Sequence, residues 1–228
     1  MLEHIFLDLD DTLLDFTQAE AIALTKTLTE MDAPAQQAVL DRYHVINQRQ
    51  WELLEEGVLT RAEVLVSRFE ILFRELGLAR DPEETCRRYE GHLAEGHIFL
   101  PGAPELLAAL APRYKLHLAS NGAAAVQRQQ LESAGILPYF QNVFISEEMG
   151  ADKPRPEFFH HCFAAIPDFD PAKALMVGDS LTSDIRGGRN AGIRTCWFNP
   201  KEKPARPDIR PDHTIHALSE LPLLLETL

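Results

Sequence analysis

The stretch HIFLDLDDTL at residues 4–13 is an apolar, strand-like segment that ends in carboxylates. Alternate side chains of a strand share one face, so Asp8 and Asp10 can converge on one ligand where the strand gives way to a loop. Carboxylates crowded at the end of an apolar strand repel one another and lose hydration, which calls for a divalent cation, a nearby lysine or both. From this segment alone, two interpretations remain open: a pair of catalytic carboxylates, or a strand end with solvated turn residues.

The composition restricts the class of protein and of ligand. The chain has 228 residues and carries 22 lysines and arginines against 35 aspartates and glutamates, a formal net charge of −13. Such a charge would repel a nucleic acid polymer, whereas a small phosphorylated molecule could still bind beside a metal and a lysine. Three isolated cysteines, the lack of a basic leader and the lack of a long apolar segment predict a soluble cytoplasmic protein with no membrane partner. The oligomeric state is left open.

The order of sequence patterns predicts an α/β fold interrupted by a helical insert. After the first strand, residues 17–96 carry successive helical patterns, including a helix that begins with a capping box formed by Thr60 and Glu63. From residue 97 onward, short apolar strands at 115–119, 143–145, 174–177 and 193–198 alternate with helices. This alternation predicts a Rossmann-like parallel sheet with helices on both faces, formed by residues 1–16 and 97–228. Residues 17–96 would form an all-helical cap domain.

Polar residues follow the later strands at the edge where ligands bind in parallel sheets. Ser120 and Asn121 follow the second strand, Lys153 lies in the loop after the third, and Asp179 and Asp184 follow the fourth. Four carboxylates, a lysine and a hydroxyl would then meet at one edge. A hard cation with oxygen ligands, most simply Mg²⁺, would let such a cluster persist.

These motifs, in this order, resemble the haloacid dehalogenase superfamily, whose phosphatases carry D-x-D-x-T, a hydroxyl residue after the second strand, a lysine and G-D-x-x-x-x-D. The resemblance implies that Asp8 is the nucleophile and Asp10 the general acid and base. It also implies that Ser120, Asn121 and Lys153 hold the phosphate. The metal would be bound by Asp8, the Asp10 carbonyl and Asp179, with Asp184 supporting them.

Beyond these motifs, residues 145–154, 175–192 and 195–199 are similar to the pyrimidine 5′-nucleotidases of the YjjG type, as are Asn47, Trp51 and Arg68 in the cap. The resemblance implies a Mg²⁺-dependent phosphomonoester hydrolase that forms an aspartyl-phosphate and prefers pyrimidine nucleoside 5′-monophosphates, with the three cap residues selecting the substrate. A phosphatase for a sugar phosphate or phosphoglycolate is the alternative, because it would share every core residue. A dehalogenase would need neither a proton-donating Asp10 nor a metal cluster. A catalytically silent binding module is the alternative from another class, and the presence of Asp8, Asp10, Lys153 and Asp179 argues against it.

For the cap residues, other roles stay open at this point. Trp51 could simply be buried in an amphipathic helix. Arg68 could form a surface pair with Glu70 or Glu75.

Overall fold

The structure, a computed structural model, describes residues 2–228. The chain separates into two compact units, one formed by the residues up to Asp15 together with Ile98–Leu228 and the other by Phe16–His97. The chain elements, in order, are β1 (His4–Leu7), α1 (Phe16–Glu30), α2 (Gln37–Glu55), α3 (Arg61–Leu76), α4 (Pro82–Ala94), α5 (Ala103–Leu110), β2 (Lys115–Ser120), α6 (Ala124–Ser133), β3 (Phe140–Ile145), α7 (Ser146–Met149), α8 (Pro156–Ala164), β4 (Ala174–Gly178), α9 (Arg186–Asn190), β5 (Arg194–Phe198), β6 (His213–Ile215) and α10 (Leu221–Leu225).

The first unit contains a six-stranded sheet with the strand order β3-β2-β1-β4-β5-β6, and every neighbouring pair is parallel. This arrangement confirms the predicted α/β fold with a Rossmann-like sheet. Strand β1 lies between β2 and β4, so the ends of these three strands meet at the centre of one sheet edge. That edge therefore collects the residues that follow β1, β2 and β4.

Strand β1 is buried on both of its faces, which explains its continuous apolar pattern. Ile5 and Leu7 belong to a large core cluster that also contains residues of α5, α6 and the C-terminal segment. Phe6 belongs to a second cluster on the opposite face, with residues of α8. Since side chains alternate along a strand, the apolar burial of Ile5, Phe6 and Leu7 fixes which way the following carboxylates point.

Two elements of this unit differ from their predicted form. Strand β3 begins at Phe140 rather than at residue 143. The sequence does not reveal its first half, because that half is only partly buried at the sheet edge and lacks an apolar run. The helix predicted after the fourth strand is short, because a π-helical turn at Leu181–Ile185 precedes α9. Such turns are frequent at functional sites, and this one carries Asp184.

The second unit is all-helical and contains α1 to α4. Helix α3 begins with the predicted capping box, in which Thr60 and Glu63 exchange side-chain and backbone hydrogen bonds. It ends at Gly77, whose φ of 66° is the left-handed conformation that favours glycine. Phe69, Leu72 and Phe73 are buried, as their helical spacing predicts. Within residues 2–228, no helix is both long enough and apolar enough to span a membrane.

Candidate active site

The nucleophile candidate Asp8 lies directly after β1, and its position is fixed from both sides. Its backbone N–H donates to the carbonyl of Val177 in β4 at 3.0 Å, which continues the sheet pairing by one residue. The Thr12 hydroxyl donates to Asp8 Oδ2 at 3.3 Å and accepts from the backbone N–H of Asp179 at 3.2 Å. Thr12 thereby links the carboxyl ends of β1 and β4, and Asp8 is 7 % exposed.

Lys153 brings a buried ammonium group to Asp8. Its Nζ donates to Asp8 Oδ1 at 2.7 Å, to Asp184 Oδ1 at 2.6 Å and to the carbonyl of Ala119 at 2.6 Å, and the residue is 1 % exposed. All three ammonium protons therefore have acceptors. Burial opposes the charged ammonium, but the two carboxylates outweigh it and raise the pKa of Lys153 above its ordinary value.

The Asn121 side chain holds the backbone of Lys153 in place. Its Oδ1 accepts from the N–H of Lys153 at 2.9 Å, while its Nδ2 donates to the carbonyl of Lys153 at 2.9 Å. The sequence assigned Asn121 to phosphate binding, whereas here its side-chain amide is committed to the lysine loop. The neighbouring Ser120 hydroxyl accepts from the N–H of Gly122 at 3.3 Å and still has an O–H to donate to a ligand.

Asp184 and Asp179 come from the segment after β4. Asp184 accepts from Lys153 through Oδ1 and from the N–H of Ser180 through Oδ2, at 3.0 Å. A Cβ at Gly178 would overlap the Asp184 carboxylate, so only glycine leaves room for this group. Asp179 Oδ2 accepts from Lys203 Nζ at 2.9 Å, and the Asp179 carbonyl accepts from Trp197 Nε1 at 2.8 Å.

Carboxylate oxygens of Asp8, Asp179 and Asp184 lie within 4.8 Å of one another. These hard oxygen donors suit Mg²⁺, and their combined negative charge exceeds that of the single buried ammonium beside them. The donor set therefore fits a magnesium ion. The sequence placed Asp184 behind the metal ligands, whereas one of its carboxylate oxygens lies within 4.8 Å of oxygens of both Asp8 and Asp179.

The general-acid candidate Asp10 is held from a helix rather than from another strand. Its Oδ2 accepts from Gln127 Nε2 at 2.7 Å, and Gln127 lies on α6. The loop that carries Asp10 is tight, because the N–H groups of Leu13 and Leu14 both donate to the carbonyl of Leu9, at 2.9 and 3.0 Å. The carboxyl group of Asp10 is therefore fixed by both its backbone and its side chain.

Burial shifts the acidity of all these carboxyl groups in the same direction. Burial raises the pKa of Asp8 to about 7 against the opposing ammonium of Lys153. Burial and the charge of Asp8 raise the pKa of Asp10 to about 8. Burial raises the pKa of Asp179 to about 6, although Lys203 opposes the shift. Near neutral pH, Asp10 is thus the carboxyl group best able to carry a proton.

The three cap residues singled out by the sequence lie together inside the helical unit. Asn47 Oδ1 accepts from Arg68 Nη1 and from Trp51 Nε1, both at 3.1 Å, and Asn47 Nδ2 donates to Glu20 at 2.7 Å. Asn47 is 2 % and Arg68 3 % exposed, while Trp51 is half-buried with the guanidinium of Arg61 over its ring. These residues form one buried polar network.

The surface pairing considered for Arg68 is wrong. Arg68 is buried, and its guanidinium lies 5.0 Å from the ring centroid of Tyr89. Glu75, one of the two proposed partners, pairs instead with Arg42 at 2.6 Å. Arg68 is linked to the carboxylate of Glu20 only indirectly, through the neutral side chain of Asn47.

Sequence reasoning missed two residues that contact the site. Gln127 and Lys203 bond directly to Asp10 and Asp179, at 2.7 and 2.9 Å. Neither belongs to a motif, and each is brought to its partner by the fold. The only signal in the sequence is that the loop of Lys203 contains four prolines, which restrict its backbone.

Comparison with known proteins places the chain in a family. Residues 2–192 match the family described as haloacid dehalogenase-like hydrolase. The chain is 39 % identical to the pyrimidine 5′-nucleotidase PynA of Streptococcus pneumoniae over 96 % of its own length and 93 % of that protein. It is 33 % identical to the pyrimidine 5′-nucleotidase YjjG of Escherichia coli, over 98 % of its own length and 97 % of that protein.

A solved structure agrees with this placement. The crystal structure of the HAD-hydrolase named YfnB from Bacillus subtilis, described as bound to magnesium, superposes with a TM-score of 0.94 at 39 % identity and covers 98 % of each chain. The family match at residues 2–192 includes Asp8, Lys153 and Asp179, which meet at one edge of the sheet. The chain therefore belongs to the haloacid dehalogenase-like hydrolases.

Proposed function

We propose that this chain is a Mg²⁺-dependent phosphomonoester hydrolase that acts through an aspartyl-phosphate and prefers pyrimidine nucleoside 5′-monophosphates. The observation that carries the proposal is the environment of Asp8, a buried carboxylate bonded to the Lys153 ammonium at 2.7 Å beside the carboxylates of Asp179 and Asp184. A nucleophile held against a cation can approach a phosphate dianion without prohibitive repulsion.

In the first step, a carboxylate oxygen of Asp8 attacks phosphorus and the bond from phosphorus to the ester oxygen breaks. The proton that neutralises the departing alkoxide comes from Asp10, whose carboxyl group is fixed by Gln127. Lys153 stabilises negative charge on the transferring group, and the Ser120 hydroxyl donates to a phosphoryl oxygen. The products of this step are the free nucleoside and phosphorylated Asp8.

In the second step, Asp10 has lost its proton and can act as a base. It accepts a proton from a water molecule, whose oxygen attacks phosphorus and breaks the bond to Asp8. This step releases inorganic phosphate, returns the proton to Asp10 and regenerates the Asp8 carboxylate. One carboxyl group therefore serves both half-reactions.

Asp8, Asp179 and the backbone carbonyl of Asp10 would hold the magnesium ion, with Asp184 supporting this shell. When bound, Mg²⁺ supplies charge that offsets the repulsion between carboxylate and phosphate. Asp184 keeps Lys153 in place through its 2.6 Å bond, so metal binding and phosphate binding share one buried network.

The substrate preference rests on the named activities of PynA and YjjG, which share 39 % and 33 % of their aligned residues with this chain. In the helical unit, Asn47 and Arg68 are buried in a shared network, so their part in selectivity would be to fix the shape of the cap and the position of Trp51. Trp51 is half-buried, and an aromatic ring of this kind can contribute to a preference among bases by stacking.

A phosphate-release screen tests the proposal. Pyrimidine and purine nucleotides, sugar phosphates and phosphoglycolate are assayed with Mg²⁺ and with excess chelator. We expect dUMP and dTMP to give the highest kcat/KM and the chelator to abolish turnover. A sugar phosphate or purine nucleotide that wins by about tenfold, or about 1.4 kcal/mol in transition-state binding, would overturn the nucleotide assignment but not the mechanism. Full turnover in chelator would overturn the metal requirement.

A further inference from the structure

We propose that Gln127 is a positioning residue for the reaction, and that it assigns the transferred proton to one oxygen of Asp10. This inference rests on the proposed function, in which Asp10 is the general acid. Gln127 is 2 % exposed, and its Nε2 lies 2.7 Å from Asp10 Oδ2. It contributes no group to the phosphate or to the metal.

The chemistry of the contact decides which oxygen carries the proton. An amide NH₂ group only donates hydrogen bonds, so the Asp10 oxygen opposite Nε2 must accept one. In a protonated carboxyl group the carbonyl oxygen is the stronger acceptor, and the other oxygen carries the O–H. Gln127 therefore holds Oδ2 as the acceptor and leaves Oδ1 as the oxygen that carries the proton. A general acid must present its proton in line with the leaving oxygen, and a fixed choice of oxygen meets this requirement.

The turn at residues 120–122, which follows β2, leaves space for this amide. A Cβ at Gly122 would overlap Nε2, Cδ and Cγ of Gln127, so the glycine of the Ser-Asn-Gly turn leaves the space in which the amide lies. The backbone N–H of Gln127 donates to the carbonyl of Ala123 at 2.9 Å, which ties the start of α6 to the same turn. The Gln127 side chain thus links the loop after β2 to the loop after β1.

The Gln127 Oε1 atom takes no part in the contact with Asp10. Oε1 is buried and has no hydrogen-bond partner within residues 2–228. A buried acceptor without a partner lowers the stability of the fold, and an apolar residue of similar shape would avoid that loss. The assignment of function therefore rests on the contact of Nε2 with Asp10 and on the space that Gly122 leaves for the amide.

The experiment compares Gln127→Met with wild type on two substrates, p-nitrophenyl phosphate and dUMP. The readout is kcat/KM, which reports the steps up to release of the leaving group and excludes hydrolysis of the aspartyl-phosphate. Nitrophenolate leaves without a proton, whereas the nucleoside alkoxide needs one. We expect kcat/KM for dUMP to fall at least tenfold more than that for p-nitrophenyl phosphate. Gly122→Ala, which displaces the amide, should shift the ratio in the same direction.

Gln130→Met is the matched control, because Gln130 lies on the same helix and is 3 % exposed. It should leave the ratio of the two kcat/KM values within twofold of wild type, and thermal melts of all variants report whether they fold. Equal losses on both substrates, or no loss, would overturn the positioning role. Retention of the wild-type ratio in Gln127→Glu would show that this position accepts the Asp10 proton, and would overturn the assignment to Oδ1. A wild-type enzyme with no activity on either ester would instead overturn the proposed function, and this inference with it.

Discussion

Replacing Lys153 with methionine removes the buried ammonium while nearly preserving the length of the side chain. The Nζ atom lies 2.7 Å from Asp8 Oδ1 and 2.6 Å from Asp184 Oδ1. At an effective dielectric constant of about 20, each contact corresponds to roughly 6 kcal/mol of gross attraction, most of which offsets the desolvation of the charges. Breaking a buried pair of this kind costs about 3–5 kcal/mol of the free energy of unfolding.

The loss of stability in Lys153→Met should depend on pH, and the structure determines that it increases as the pH rises. Lys153 lowers the pKa of both Asp8 and Asp184, so its loss leaves those values further above their unfolded ones. The folded variant then binds more protons than the unfolded chain, and stability is lost as the pH rises through the folded pKa. The deficit should grow between pH 5.5 and pH 8 by up to about 1.4 kcal/mol per pH unit for each proton involved.

Urea denaturation followed by circular dichroism, in excess EDTA at pH 5.5, 7 and 8, measures this effect. Lys173→Met is the matched control: Lys173 Nζ lies 2.7 Å from Glu3, but both side chains are nearly half exposed. Its denaturation midpoint should equal that of wild type at every pH, because exposed pairs contribute little. A Lys153→Met variant as stable as wild type at pH 8, or a deficit that does not change with pH, would refute the reasoning.

The remaining predictions concern the two carboxylates, the metal and the cap. Asp8→Asn should abolish phosphate release, and Asp10→Asn should lower kcat/KM for dUMP by about 10²-fold or more, with a smaller loss on p-nitrophenyl phosphate. Because Asp8 and Asp179 have pKa values raised to about 7 and about 6, metal must displace protons from them, so Mg²⁺ should raise the melting temperature more at pH 8 than at pH 6. Asp179→Asn should weaken this shift, and an unchanged shift would remove Asp179 from the metal shell. Asn47→Leu leaves the donors of the cap network without their acceptor and should lower the free energy of unfolding by about 2 kcal/mol or more, whereas exposed Gln48→Ala should change it little.

The sheet could be predicted from the sequence because its physics is local. The central strands β1, β2 and β4 are four to six residues long and almost wholly buried, and this produces short, mainly apolar stretches between turns. The parallel arrangement then brings the ends of β1, β2 and β4 together without further information. The start of β3 could not be predicted in this way, because the first half of the strand is only partly buried and carries no apolar run.

The contacts of Gln127 and Lys203 could not be predicted by the same means. Gln127 is 117 residues from Asp10, and a glutamine in a short helix normally indicates an exposed position. Arg68 presents the same difficulty, because arginine is rarely buried without a carboxylate partner. In both cases a long-range hydrogen bond decides the position of the side chain. The spacing of apolar residues along the sequence gives no information about such bonds.

The sequence predicts the positions of residues correctly where the backbone alone determines them. The charged residues at the sheet edge show why this is sufficient to identify most of the candidate site. Asp8, Asp10, Asp179 and Asp184 follow strands β1 and β4, which are paired neighbours, so the segments that carry these carboxylates begin at the same edge of the sheet. Two ammonium groups, those of Lys153 and Lys203, reach them from loops after β3 and β5. With Asp10 protonated, as a general acid requires, and the other five groups ionised, the cluster keeps one negative charge, which a bound cation offsets. The strand order therefore creates the demand for a cation, whereas the loops and α6 decide how each carboxylate is oriented towards it.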